Sequence, residues 1–401
     1  MGLKIAVIVP GRFHAFDLAR GLLERGHDVW LFTNYPKWAV ERFGFPGNRV
    51  VSLWPHGVAS RVSGYLFQRG VCRYPEEWLC RWFGNWVAKQ LATKQWDITH
   101  SWSGFSEEVL QMSSLKDTCQ IVMRGSAHIR VQSNILEEEE KRVQTKLDRP
   151  SRWIIEREER EYAISKNMIV LSRFAYESFI EEGVPSEKLL LLPLGARTEK
   201  FRPSPDVIEA RCRRILSREP LRVLYVGALS FRKGMWDMAE ILRKADRSRF
   251  HFRFVGPSTA EVKKLLKELR SLAEFYQKQP QQELPRWYAW GDIFIFPTIE
   301  DGFAVVLAQA NASALPVLAT TNCSGPDLIL DGQTGWVLPI RNPTAFLDRL
   351  CWCDTHREEL AAMVRRIYQR DRSRDWSDVA ADFEKICSKK ASGESDPKIY
   401  G

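Results

Sequence analysis

Residues 222–244 read RVLYVGALSFRKGMWDMAEILRK, and this passage sets the architecture expected of the whole chain. Residues 222–226 predict a strand buried in a parallel sheet, residues 227–232 a glycine-opened loop, and residues 235–244 a helix. A strand passing through a tight loop into a helix is the opening unit of a Rossmann-like half, whose ligands sit at the carboxyl ends of its strands. There the backbone turn and the helix N-terminus offer free N–H groups and a positive dipole end. Arg232 and Lys233 add two cations, so a nucleoside diphosphate would find both directional donors and charge, with Gly227 at the turn. The competing reading, a solvated basic pair on a surface loop, is set aside because of this position in the unit.

The same pattern continues on both sides. Downstream, strands are predicted at 250–255, 293–296 and 317–319 and helices at 283–290, 305–313 and from Pro343 toward Trp352. Upstream, residues 4–9 form a strand, Pro10-Gly11-Arg12 a turn, and residues 15–25 a helix with Phe16, Ala19, Leu22 and Leu23 on one face and Gly26 closing it. Strands at 29–33, 98–100, 121–123, 168–171 and 189–194 follow, with helices at 107–113, 136–147 and 156–163. Residues 195–218, with Pro203 and Pro205, read as a loose linker. The expectation is an α/β protein: a Rossmann-like domain over 1–200, a second over 201–375, and over 376–401 a last helix (377–387) followed by a flexible polar tail.

Composition agrees with a globular protein. At 401 residues the chain is long enough for two domains, and 44% hydrophobic with 27% charged residues suits a soluble body. The apolar run at 5–9 is too short for a secretory leader and no run would span a bilayer, so a cytoplasmic location is expected. The eight cysteines show no framework spacing. Cys351 and Cys353 with nearby His356 lack a second ligand pair and read as part of a packed helix, leaving no metal site. A net charge of +9 points to anionic partners. With no zinc finger, RNP-type segment or base-stacking basic helix, nucleic acid is not expected among them.

A second candidate loop is Pro297-Thr298-Ile299-Glu300-Asp301-Gly302-Phe303, between a strand and a helix. Asp301 near the helix start suits the dipole and could accept from a sugar hydroxyl. Gln309 lies eight residues on, about 12 Å along the axis, which suits one residue on the sugar and the other on the ribose of one nucleotide. The alternative is an N-cap aspartate and a surface glutamine.

The run 227–234, the segment 297–310 and Leu315-Pro316-Val317-Leu318-Ala319 resemble family 4 glycosyltransferases of the GT-B fold. Gly325-Pro326-Asp327, Asp331-Gly332 and Thr334-Gly335-Trp336-Val337-Leu338-Pro339 extend the likeness through the second half, and 98–100 and 171–175 carry it into the first. The resemblance implies two Rossmann-like domains facing each other across a cleft. It also implies a retaining, metal-independent transfer from a nucleotide sugar, a UDP- or GDP-sugar, to a glycan, lipid-linked or other hydroxyl acceptor in polysaccharide assembly. No bound cofactor is implied. The family's paired glutamates, seven residues between them, fall on Asp301 and Gln309, and its loop arginine on Ala228. Both acidic positions therefore depart from the usual residue, with adjacent Glu300 able to supply reach and Arg232 part of the missing arginine's work. Lys233 and Arg232 are expected to clamp the leaving diphosphate, and Gly11, Gly302, Phe303 and Gly325 to bind the donor closely. A family histidine at a strand end orients sugar; His14, His100 and His128 are the candidates, with His100 and His128 preferred. An epimerase of the same fold and a non-catalytic sugar-nucleotide-binding protein are the rival readings.

Two further features stand outside this scheme. Trp78, Trp82 and Trp86 fall on one helical face, read as packed on the first sheet, with a peripheral contact at the inner face of a membrane as the competing reading. The acidic run Glu137 to Glu140 reads as a solvated helix face.

Overall fold

The computed structural model describes residues 2–196, 198–370 and 374–392. Its frame is two wholly parallel sheets. The first holds β1 (Lys4–Val9), β2 (Asp28–Thr33), β3 (Val50–Ser52), β4 (Ile98–Trp102), β5 (Cys119–Met123), β6 (Asn167–Val170) and β7 (Leu189–Leu191), in the order β3-β2-β1-β4-β5-β6-β7. The second holds β8 (Leu221–Val226), β9 (Phe250–Val255), β10 (Glu274–Tyr276), β11 (Ile293–Phe296), β12 (Val317–Thr320) and β13 (Gly335–Leu338), in the order β10-β9-β8-β11-β12-β13. Helices cover both faces, so the central strands are apolar along their length: Ile5, Val7 and Val9 feed one core while Ala6 and Ile8 feed another. Register is set early in each half, with Ile5 opposite Val29 and Ile98, and Leu221 opposite Phe250.

In the second sheet β8 lies between β9 and β11. The direction of winding reverses at that point, so the loops after β8 and β11 part and leave a crevice between them. Those loops are 227–234 and 297–304, the two passages singled out in the sequence.

Several boundaries differ from expectation. Residues 195–218 are no loose linker: they contain the helix Pro205–Leu216, whose Arg211 is fully buried. Its guanidinium donates to the carbonyls of Ser313 (2.7 Å) and Ala314 (3.0 Å), satisfying the C-terminal end of the helix Val305–Ala312, and to that of Tyr288 (3.0 Å) in the helix Leu284–Trp290. The helix expected at 136–147 begins earlier, as Ile129–Val143, and stops where Gln144 turns left-handed at φ 50°. Its acidic run is solvated at Glu138 and partly at Glu137 and Glu140, but not at Glu139. Glu139 is fully buried at the interdomain seam, held by Arg142 (3.2 Å) of its own helix and Arg341 (2.9 Å) of the second domain, while Arg142 also pairs with Asp237 of that domain.

The last helix, Trp376–Ser392, runs past the expected start of the tail; residues 393–401 lie outside the described residues. Trp376, Val379, Ala380, Phe383, Ile386 and Cys387 pack into the first domain's core, against the helix Ala15–Glu24. The contact is close at Gly21, where an added Cβ would stand 2.9 Å from that of Ala380. Burying Phe383 there alone contributes roughly 2 kcal/mol.

Candidate active site

The loop after β8 is shaped from below. Tyr225, fully buried in the strand, donates its hydroxyl to the carbonyls of Ala228 (2.9 Å) and Lys233 (3.1 Å), tying the two ends of the loop together. The loop closes on Gly234, at φ 84°, whose added Cβ would meet the Pro297 carbonyl at 1.9 Å, so only glycine lets the two loops approach this closely. Ile299 N–H then donates to Arg232 O (2.9 Å), and Asp301 N–H to Asn322 O (3.0 Å). Tyr225 was missed by sequence reasoning; as an aromatic in a buried strand it carries no signal until the loop is seen folded over it.

On this frame Lys233 Nζ lies 2.7 Å from Asp301 Oδ2 and 3.1 Å from the Glu300 carbonyl. The two residues from different loops thus meet at the crevice, a cation and a carboxylate side by side. Glu300 does not join them. It is fully buried and turned to the first domain, accepting from Ser126 Oγ, from Gln132 Nε2 (3.1 Å) and from Ala127 N–H (3.4 Å), and it pairs with Arg232 at 2.6 Å. Burial pushes its pKa up, but the Arg232 and Lys233 cations and the Ser126 and Gln132 donors outweigh that and bring it to about 2. Glu300 therefore cannot lend its reach to Asp301. Arg232, committed to Glu300, stands behind Lys233 rather than beside it.

Gly302 and Phe303 also belong to the seam. A Cβ on Gly302 would stand 2.3 Å from Gly125 O and 2.4 Å from Ser126 Cα, so the domains touch backbone to backbone. Phe303 is buried in the first domain's core cluster, which corrects its expected place against a donor. Gly325 opens a four-residue helix and its N–H faces the thiol of Cys323 at 3.3 Å, so that amide is not open to a phosphate; Asp327, two residues on, accepts from Arg173 N–H across the seam (3.2 Å). Gln309 is buried with its amide oxygen accepting from Tyr288 Oη (2.9 Å), which leaves its NH2 group as the one side of the amide still to be used. Gly227, its N–H held by Val255 O (3.0 Å), and Gly11, its carbonyl accepting from Thr33 Oγ1 (3.1 Å), sit at the strand ends expected of them.

The preferred histidines are corrected. β4 continues to Trp102, so His100 lies inside the strand, fully buried between the rings of Trp102 and Phe383, and burial drives its pKa to about 3. His128 caps the helix Ile129–Val143, its Nδ1 accepting from Arg130 N–H (3.3 Å) and its ring against Tyr162 and Phe179. Burial, with Arg124 and Arg130 beside it, lowers its pKa to about 4. His14 is the histidine that feels the crevice. Half-buried at the start of the helix Ala15–Glu24, between Trp102 and Trp376, it is neutral because burial lowers its pKa to about 4 against the pull of Asp17 and Asp301.

Among the described residues no three His, Cys, Asp or Glu side chains gather as a metal site, and no helix is long and apolar enough to cross a membrane. Cys353 is buried in the helix Pro343–Thr355 and Cys351 half-buried beside it, both free thiols.

Comparison with known proteins accounts for both halves of the chain. The family described as Glycosyltransferase Family 4 matches residues 12–200, and that described as Glycosyl transferases group 1 matches residues 220–354. A putative colanic acid biosynthesis glycosyltransferase, WcaL of Escherichia coli, is 25% identical over 201 residues, 47% of this chain and 48% of that protein. The amylovoran biosynthesis glycosyltransferase AmsK of Erwinia amylovora is 28% identical over 204 residues, with the same shares. The chain thus spans about half the length of the curated relatives it matches. In fold it is similar to Anabaena HepE, solved with UDP and glucose: TM-score 0.68 at 14% identity, over 96% of this chain and 100% of that one.

Proposed function

Because the chain belongs to the family 4 glycosyltransferases, with their two facing Rossmann-like domains, we propose that it transfers a sugar from a nucleotide-sugar donor to a hydroxyl acceptor, with retention and without a metal. The observation that carries this is the meeting of Lys233 and Asp301 at the reversal point of the second sheet. The ion pair sets the two groups side by side at the crevice before a donor arrives. Lys233 takes the departing diphosphate, while Arg232, neutralised by Glu300, fixes the loop behind it. Asp301, released from the lysine, accepts from the donor sugar's hydroxyls, and Gln309 offers its NH2 to the ribose. His14, neutral near pH 7, serves as a hydrogen-bonding group toward the sugar from the first domain, a role reassigned from His100 and His128. The leaving phosphate oxygen accepts the acceptor's proton on the same face of the sugar, so no strong protein base is required. UDP- and GDP-sugars are the donors to try first, glycan or lipid-linked sugars the acceptors, and the cytoplasm the place of action.

A panel of nucleotide sugars screened by thermal shift tests the donor site, since a ligand held by the native state raises its melting temperature. The expected result is stabilisation by one nucleotide class, lost in Lys233→Ala, followed by a transfer product of unchanged anomeric configuration in the presence of a chelator. Absence of any stabilisation across the panel would sink the assignment, and an inverted or chelator-sensitive product would sink its mechanism.

A further inference from the structure

More than half of the large apolar side chains left exposed among the described residues lie between positions 54 and 78. They are not scattered. On the helix Trp54–Gln68, Trp54, Val58, Val62 and Tyr65 follow one another at spacings of four, four and three, a single stripe along one face, and each is about half or more exposed. The other face of the same helix holds it to the fold: His56 is buried, with Nε2 at 3.0 Å from Leu79 O, and a Cβ on Gly57 would stand 2.4 Å from Asn34 O. The patch continues onto the neighbouring helix Glu76–Leu91, where Trp82 packs on the His56 ring (5.2 Å) and the exposed Trp78 lies on Trp82 (4.8 Å). That helix turns Phe83, Val87 and Leu91 to the sheet with Trp86 packed beside them, so the packed reading of the tryptophan stripe holds for Trp86 and fails for Trp78.

The charge around the stripe is of one sign. From residue 42 to residue 75 the chain carries arginines and no aspartate or glutamate. Arg61 and Arg69 fall at helical spacing on the apolar stripe itself, Arg69 reaching over the Tyr65 ring at 4.3 Å, and Arg73 follows in the exposed turn. Among the described residues no carboxylate pairs with any of these three. Two copies of the chain joined through this face would set these arginines against one another, which disfavours a symmetric dimer. Aromatic and aliphatic side chains in a row, flanked by unpaired arginines, suit a surface that is apolar just below and anionic on top.

We propose that the face formed by the helix Trp54–Gln68 and Trp78 docks the chain on an anionic lipid bilayer, with Trp54, Val58, Val62 and Tyr65 in the headgroup–acyl boundary and Arg61, Arg69 and Arg73 on lipid phosphates. The helix starts just beyond β3, at the carboxyl edge of the first sheet, the edge that also carries Gly11 and Ser126 toward the second domain. Docking there brings the first domain's side of the cleft to the membrane surface. The proposal stands apart from the donor chemistry and can fail without it.

Flotation of the purified full chain with phosphatidylcholine vesicles, alone or with about one third phosphatidylglycerol, tests it. The chain is expected to float with the anionic vesicles, less so as salt rises, and to stay behind with the neutral ones. Val58→Asp with Val62→Asp, and separately Arg61→Glu with Arg69→Glu, should each cut the floated fraction by about tenfold, with melting temperature and nucleotide-sugar stabilisation unchanged. The arginine pair keeps the test sharp if the valine pair disturbs folding. Failure of the wild type to float, equal flotation on neutral vesicles, variants that float like the wild type, or a concentration-dependent dimer that the valine pair dissolves would each overturn it.

Discussion

The carboxylate of Glu300 is fully buried, accepts from three groups of the first domain and pairs with Arg232, whereas that of Asp301, one residue on, stays at the crevice with Lys233 beside it. Two acids adjacent in the chain have therefore been given different work by the pleat of one loop. One closes the seam between domains and the other is left for a ligand. Type and spacing alone could not have separated them; the number of groups already satisfied does.

The division is broken most severely at the crevice. Lys233→Ala removes the cation that meets the diphosphate and should lower kcat by about a hundredfold or more, the scale seen when a charge-stabilising group is deleted from a transition state. Melting temperature and far-UV circular dichroism should barely change, because the lysine's partners are at the crevice rather than in the core. Turnover close to wild type would remove Lys233 from the mechanism. On the seam, Gly302→Ala puts a methyl group where the Gly125 carbonyl stands and must push the domains apart. A loss of about 1–3 kcal/mol of stability is expected from such overpacking, together with a larger radius of gyration by small-angle scattering and roughly tenfold slower turnover, since about 1 Å of misplacement weakens alignment across the cleft. An unchanged radius and rate would mean that the seam yields locally.

Glu300→Gln sharpens the contrast through pH. Its folded pKa, about 2, lies below the ordinary 4.5, so the group contributes stability that is fully present above about 4.5 and is lost as pH falls toward 2. The ceiling on that contribution is about 3 kcal/mol. The glutamine variant should melt lower than wild type at neutral pH, with the gap narrowing between pH 4.5 and 2. Chemical denaturation at several pH values measures it. A gap that is constant with pH would show that the carboxylate's charge is not what binds the seam.

What could be read in advance follows from the range of the interactions. The loop 227–234 was legible because its strand, its glycines and its helix are neighbours in sequence, and the same holds for most strands of both sheets. The seam was not: Glu300 meets Ser126 and Gln132, and Arg341 meets Glu139, across well over a hundred residues of chain. Glu139 looks like any member of a charged helix until a second domain covers it. Arg211 was misread for the same reason, as a basic residue in a linker, since the carbonyls it satisfies come from residues 288, 313 and 314. His100 failed differently. Thr99, His100 and Ser101 break the apolar run that marks a strand, yet β4 is next to central β1 and all five of its residues are buried.

The smallest effect is expected at that histidine. Both ring nitrogens of His100 are buried without a hydrogen-bond partner, so the imidazole contributes shape between Trp102 and Phe383 and carries the desolvation cost of two polar atoms. With its folded pKa near 3, below the ordinary 6.5, the unfolded chain binds a proton that the native state refuses. Stability is therefore lost as pH falls from about 6.5 toward 3, the opposite of what a cationic catalytic histidine would give. His100→Leu removes both penalties at nearly constant volume. It should leave turnover within about twofold, keep the melting temperature at or above wild type near pH 7, and make it less sensitive to acid between pH 6.5 and 4. A large loss of kcat in a variant that melts normally would return His100 to the site and require the first domain to open at β4 during the reaction.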